Sequence, residues 1–330
     1  MKIQPTLLLI LISFKLLSQD VIQIGFSLGE FNSEQWSQDC RYFEEAAKTY
    51  GAKVLFEYGY GDVDQQILQC KNLIDSGIQV LVIMPTDVRR FSSVIDYAHE
   101  KGVSVISYDR LILDANPDLY ISFDNEKIGE LQASYAVQQK PEGNYILLTG
   151  PETDFNSELY LRGQKKVLQP YVDQGKINIL KEVHLPAWNA IAAFNEIQDL
   201  IDSVNTIDAI IASDDQIATG SITSLDFKLK EWNILITGQD GNSDAIENIL
   251  AEKQAMTLYK PVNQLAELTV RFAVDLVNGS RNGFLTNSTM NNGKENVPAM
   301  LIDPFLVDSR TLKEKLPVDK IIVRRKGMGI

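Results

Sequence analysis

Histidine and cysteine are nearly missing from this chain, with two of each among 330 residues. His99 and His184 stand far apart, so a histidine-built metal centre is not expected, and no histidine is placed to activate water. Cys40 and Cys70 are too few for a disulfide framework. Both fall at apolar positions of expected helices and read as small buried hydrophobes. A Walker loop, an HExxH helix, a GxSxG elbow and a glycine-rich dinucleotide turn are also missing, which removes the usual signatures of catalysis. Basic runs are absent until Arg324-Arg325-Lys326, and the formal net charge is -13. Phosphate recognition needs a basic face, so no nucleic-acid partner is expected.

Long apolar runs are lacking as well. The run Leu7 to Ile12, preceded by Met1-Lys2, is too short to span a bilayer but suits a secretory signal. Residues 1–20 are read as a signal peptide, with cleavage after Ser18. No cysteine follows the run to accept a lipid, so a soluble exported protein is expected.

What is present is a regular alternation. From residue 22, short β-type apolar runs alternate with amphipathic helices. Ile22 to Leu28 reads as a strand, and Ser33 can cap a helix with Trp36, Cys40, Phe43, Ala47 and Tyr50 at helical spacing until Gly51. Strands follow at Val54 to Glu57, Val80 to Met84, Val103 to Ser107 and Tyr120 to Phe123, with helices between the earlier ones. The grammar restarts at Asn144 and includes helices over Trp188 to Val204 and Ala218 to Leu229. The fold class is therefore α/β, with two doubly wound parallel-sheet lobes. Elements after residue 262 can cross back, giving a multi-segment hinge. The first lobe is expected over 21–125 plus about 262–282, and the second over 126–261 plus about 283–330. Winding reverses after the second strand, which puts Cys40 and Cys70 on opposite faces of one sheet.

Ligands of parallel α/β sheets bind beyond the carboxyl ends of the strands. Those ends carry Pro85-Thr86-Asp87, Tyr108-Asp109-Arg110 and Asp124-Asn125 in the first half. In the second half they carry Gly150-Pro151-Glu152, Ser213-Asp214-Asp215, Gly238-Gln239-Asp240 and Lys260-Pro261. Asp87, Asp124 and Asp215 can equally be helix caps. Carboxylates that accept, bases that donate and amides that do both make the inventory for vicinal hydroxyls. Trp36 and Trp188, each near the start of a helix, offer rings for the C–H faces of a sugar, although core packing would explain them too. Tyr108 is expected at the lip of the cleft.

Several stretches are more specific than this pattern: Gly51-Ala-Lys-Val, Val80-Leu-Val-Ile, Tyr108-Asp109-Arg110, Tyr120-Ile-Ser-Phe-Asp-Asn-Glu-Lys, Ile128-Gly-Glu-Leu-Gln-Ala, Gly238-Gln239-Asp240 and Met256-Thr-Leu-Tyr-Lys260-Pro261. On these the chain resembles the periplasmic sugar-binding proteins of ABC transporters, type I fold, and among them most the D-xylose-binding members, over about residues 22 to 308. The resemblance implies stacking of a monosaccharide by Trp36 and Trp188. It implies polar contacts from Asp109, Arg110, Asn156, Asp240 and Lys260. Gln35 stands where those members carry Arg, and Asp214 where they carry Asn; both positions are retained as ligand-binding residues, in a cleft more acidic by two charges. The implied function is a periplasmic, non-enzymatic receptor for D-xylose or a related aldose that serves an ABC permease. The alternative is a sensor subunit presenting the bound state to a membrane kinase or chemoreceptor. A monomer with no cofactor and no metal is expected. A glycosidase reading is disfavoured, because the acids are interleaved with Arg, Asn and Lys that suit ground-state binding.

Overall fold

The computed structural model describes residues 21–30, 34–225, 227–279 and 286–312. The expected signal peptide, the cap at Ser33 and the tail after Pro317 lie outside the described residues.

The first half runs β1 (Ile22–Leu28), α1 (Glu34–Thr49), β2 (Ala52–Tyr58), α2 (Val63–Asp75), β3 (Val80–Met84), α3 (Ser92–Glu100), β4 (Ser104–Tyr108) and β5 (Leu119–Phe123). Local chemistry sets these limits. Asp62 caps α2 by accepting the N–H groups of Asp64 and Gln65 at 3.0 Å each. The helix stops at Gly77, whose φ of 92° any Cβ would disfavour. The next run is α4 (Asn125–Gln139), β6 (Gly143–Thr149), α5 (Phe155–Asp173), β7 (Ile177–His184), α6 (Ala190–Ile201), β8 (Ala209–Ala212), α7 (Asp215–Leu225), α8 (Phe227–Glu231), β9 (Leu235–Ile236), α9 (Ser243–Leu250) and β10 (Met256–Tyr259). The chain continues through α10 (Val262–Val277), β11 (Ser288–Asn291), β12 (Asn296–Ile302) and β13 (Phe305–Asp308).

Two sheets organise these elements. The first has the order β11-β12-β5-β4-β3-β1-β2, parallel except for the β11-β12 hairpin. The second has the order β7-β6-β8-β9 and is parallel throughout. Helices cover both faces of the first sheet, so β3 and β5 are buried along their whole length. One face packs α1, through Phe43, and α10 against Phe26 and Tyr108, and the other packs α2 and α3 against Leu81, Ile83 and Val105. Cys40 borders the first of these cores and Cys70 lies in the second, both as free thiols.

The lobes are joined at three places: from β5 into α4, from β10 into α10, and from β12 into β13. The sequence assigned everything from about residue 283 onward to the second lobe, and for β11 and β12 this is corrected. Ala299 to Ile302 pair in parallel with Tyr120 to Phe123, adding both strands to the first sheet. Only β13 returns, pairing antiparallel with β10. The pairing is invisible locally because its partner strand is far away in sequence. α6 also begins later than expected. The Asn189 side chain accepts the Ala192 N–H at 2.9 Å and so caps the helix, leaving Trp188 in the turn before it. Among the described residues, no helix is long and apolar enough to cross a membrane.

In the second lobe α4 and α5 pack backbone against backbone. A Cβ on Gly129 would stand 2.0 Å from the Tyr160 carbonyl oxygen, and one on Gly163 2.0 Å from that of Glu126. Glycine at both positions lets α5 approach α4 closely, and α5 is the helix that presents Asn156 and Tyr160 to the cleft.

Candidate functional site

A cavity of about 330 Å³ lies between the lobes at the carboxyl ends of the strands. Trp36, Asp109, Arg110, Asn156, Trp188, Asp214, Asp240 and Lys260 all line it. Gln35 falls on the first turn of α1, and its side chain lies outside the described residues. The cavity therefore gathers residues from seven separate chain segments, with one tryptophan from each lobe.

The end of β4 carries the most constrained part of the wall. Tyr108, expected at the lip, is instead fully buried. Its ring packs edge-on against Phe26 and Phe43, and its hydroxyl donates to Asp39 Oδ1 at 2.6 Å. A large ring following the inward alternation of the strand has more to gain in the core than at the rim. Asp109 then turns the chain with φ of 61°, a left-handed conformation that costs a non-glycine residue about 1 kcal/mol. Three donors hold it there. The Asp109 carbonyl accepts Ser122 Oγ–H at 2.6 Å, Tyr120 O–H at 3.1 Å and Asn156 Nδ2–H at 3.2 Å. Asp109 Oδ1 is buried with no partner. Burial pushes this carboxyl's pKa up, and Lys260 opposes the rise. Asp240, at the end of the β9 segment in the other lobe, repeats the device with φ of 99°.

Each base of the wall is already paired. Arg110, only 4% exposed, places Nε 2.7 Å from Asp154 Oδ2, and its Nη1 lies 3.2 Å from Glu30. The Nε approach is off-axis for a hydrogen bond, so charge holds this pair. Burial alone would lower the guanidinium's pKa, but Asp154 and Glu30 outweigh it and the group stays charged. Lys260 Nζ stands 2.8 Å from Asp240 Oδ1 and 5.3 Å from the centre of the Phe123 ring. Here too burial opposes the charge, and the Asp240 carboxylate overcomes it.

Asp154 and Asp39 were not singled out from the sequence. Asp154 caps α5 by accepting the Asn156 N–H at 3.0 Å, and its other oxygen takes the Trp188 Nε1–H at 3.0 Å while facing Arg110. It looks in sequence like an ordinary cap, and only the fold brings Arg110 and Trp188 to it. Asp39 sits wholly buried one helical turn after Trp36, with Oδ2 unpartnered, and burial lifts its pKa to about 8. A polar residue on the inward stripe of α1 was the signal available. Asp215, weighed as a cap, is a structural hub beneath the wall. It accepts Gly241 N–H, Asn242 N–H, Gln254 Nε2–H and Thr257 Oγ1–H at 2.8 to 3.1 Å. The true cap of α7 is Asp214, whose Oδ1 accepts the Ile217 N–H at 2.6 Å. Asp124 does cap α4, through the Lys127 N–H at 3.1 Å.

Such a wall has donors, acceptors and two indoles. Among the described residues no group of three or more His, Cys, Asp or Glu could hold a metal ion. It is built to bind a small polar molecule with apolar faces.

Comparison with known proteins agrees in architecture. Over residues 24–281 the chain matches the family model described as periplasmic binding protein domain. It is 39% identical over 324 residues to the D-xylose-binding periplasmic protein of Haemophilus influenzae, covering 97% of each chain. It is 38% identical to the D-xylose-binding periplasmic protein of Escherichia coli, covering 90% of each. Among solved structures, an ABC transporter solute binding protein from Clostridium phytofermentans with bound β-D-glucose superposes with a TM-score of 0.84. That match has 29% identity and covers 90% of this chain and 97% of the other. With its two-sheet architecture, its interlobe cavity and a match over most of its length, the chain belongs to the periplasmic binding protein family.

Proposed function

We propose that this protein binds one monosaccharide, D-xylose or a closely related aldose, between its lobes in the periplasm and delivers it to an ABC-type permease. Members of its family bind solutes without transforming them. The observation that carries the sugar reading is the composition of one interlobe cavity: Trp36 and Trp188 from opposite lobes, with Asp109, Arg110, Asn156, Asp240 and Lys260 between them. Indole faces suit the C–H faces of a pyranose, and the charged groups form hydrogen bonds to hydroxyls worth about 1.5–3 kcal/mol each once water is excluded. At about 330 Å³ the cavity is near the small end of ligand pockets, which favours a single sugar ring over a disaccharide. The names of the Haemophilus influenzae and Escherichia coli relatives support D-xylose. Contacts from both lobes favour the closed form, and closure presents a changed outer surface to a membrane partner. Titration calorimetry of the protein with D-xylose and a panel of pentoses and hexoses tests this. D-xylose or a related aldose is expected to bind; absence of heat with every aldose would overturn the reading.

A further inference from the structure

Asp214 is a carboxyl of the cavity wall that gives one of its oxygens to a helix. It is 5% exposed and stands immediately before α7, as its cap. Oδ1 accepts the Ile217 N–H at 2.6 Å, a bond that α7 needs because its first amides have no partner within the helix. An oxygen accepting so short a bond is a poor place for a proton. If the carboxyl carries one, it sits on Oδ2, the oxygen that does not take this short bond. Asp214 lines the cavity, so that hydrogen is available to a ligand there. In this state the side chain has the pattern of an amide: an acceptor towards the helix and a donor towards the cleft.

We propose that Asp214 binds the sugar as a hydrogen-bond donor, through Oδ2–H, and that this contact makes sugar affinity depend on pH near neutrality. The proposal rests on the sugar-binding reading above. The surroundings favour it. The carboxyl is pushed up to about 7, first by burial and then by the Asp240 carboxylate, while the Ile217 and Gln216 N–H groups and the Lys260 ammonium pull the other way. Other ionisable groups share the cavity: Asp244 on α9, Asp154 and Tyr160 on α5, and Asp109, Arg110 and Glu30 from the first lobe. Arg110 is held by Asp154 and Glu30, and Lys260 by Asp240, so neither base is dedicated to Asp214. Asp215, next in sequence, is turned away onto the loop at Gly241 and Asn242. A sugar hydroxyl that accepts from Oδ2–H favours the protonated form. Binding therefore takes up a proton where the free carboxyl is ionised, and affinity falls as pH rises above about 7.

The test is calorimetric titration of the wild type and Asp214→Asn with the tightest-binding aldose of the panel, from pH 5.5 to 8.5 and in buffers of different ionisation enthalpy. The wild type should weaken above neutrality by up to about tenfold per pH unit and take up protons on binding. Asp214→Asn, which keeps an acceptor for the cap and a donor but cannot ionise, should show neither effect, whatever its affinity. Asp240→Asn serves as a second variant: removing the like charge should move the midpoint of the pH dependence downward, whatever it does to affinity. Wild-type binding that is flat over this range, or a slope that survives in Asp214→Asn, would overturn the proposal while leaving the sugar receptor intact. Failure of every aldose to bind would sink both together.

Discussion

Arg110 of the first lobe and Asp154 of the second face each other at 2.7 Å, with both side chains at most 4% exposed. The same Asp154 oxygen accepts the Trp188 indole N–H at 3.0 Å. One carboxylate therefore links the two lobes and orients an aromatic wall of the cavity. A solvated ion pair would do neither, since exposed pairs contribute only about 0–1 kcal/mol.

Asp154→Ala should accordingly weaken sugar binding and stability together. Removing one partner of a buried pair leaves an uncompensated charge, at a cost of about 3–5 kcal/mol. Glu30 and the Pro85 carbonyl remain near Arg110 Nη1, at 3.2 and 3.1 Å, and offset part of this. A lower melting temperature and at least a tenfold loss of affinity for D-xylose are expected. Unchanged values in both calorimetric measurements would show that the clasp is dispensable.

Gly150 offers a cleaner probe of the indole. A Cβ there would fall 2.1 Å from Trp188 Cε2 and 2.2 Å from Cζ2, so the ring and a side chain cannot share the space. Gly150→Ala should displace Trp188, change the intrinsic tryptophan emission and weaken sugar binding at least tenfold, with far-UV circular dichroism preserved. Wild-type affinity in this variant would mean that Trp188 is not a stacking platform.

These two residues mark the limit of what could be read in the sequence. The alternation of strands and helices was legible, because period-2 and period-3.6 patterns are local. So were Asp109, Asp240 and Lys260 as candidates, since each lies at or just beyond the carboxyl end of an apolar run and the fold class fixes that end as the binding end. Asp154 was not, because its three partners come from β4, α5 and the turn before α6. The return of β12 to β5 was missed for the same reason. Tyr108 was expected at the lip, whereas strand alternation puts it inside, as Phe26 is. Gly150 was read only as part of a strand end, and its packing duty appears only when Trp188 is laid over it.

Asp109→Gly should separate stability from binding. The residue holds φ of 61° and a buried carboxyl oxygen without a partner, both unfavourable in the empty protein. Glycine relieves about 1 kcal/mol of backbone strain and removes the desolvation cost, against about 0.5–1 kcal/mol of added chain entropy. The variant should melt no lower than the wild type yet lose affinity by about a hundredfold, the loss of one charged hydrogen bond to the ligand. A variant that binds normally would remove Asp109 from the site. One that melts well below the wild type would mean that the carboxylate has a structural duty.

The buried acid beneath the site predicts how stability responds to pH. Asp39 is lifted from 3.8 to about 8, chiefly by burial, with the Tyr108 hydrogen bond opposing the rise. Between these values the folded protein holds a proton that the unfolded chain has released. Folding therefore takes up that proton, and stability falls as pH rises from about 4 to about 8, by at most about 1.4 kcal/mol per unit, and levels off above. Asp214 and Asp215 are raised as well and add slopes of the same sign, so the informative quantity is a difference between proteins. Asp39→Asn keeps an acceptor for the Tyr108 hydroxyl and cannot ionise. Urea unfolding at pH 5, 6, 7 and 8 should show the wild type losing stability relative to Asp39→Asn as pH rises, by up to roughly 4 kcal/mol across the range. A difference that stays constant from pH 5 to 8 would mean that Asp39 does not change its protonation on folding.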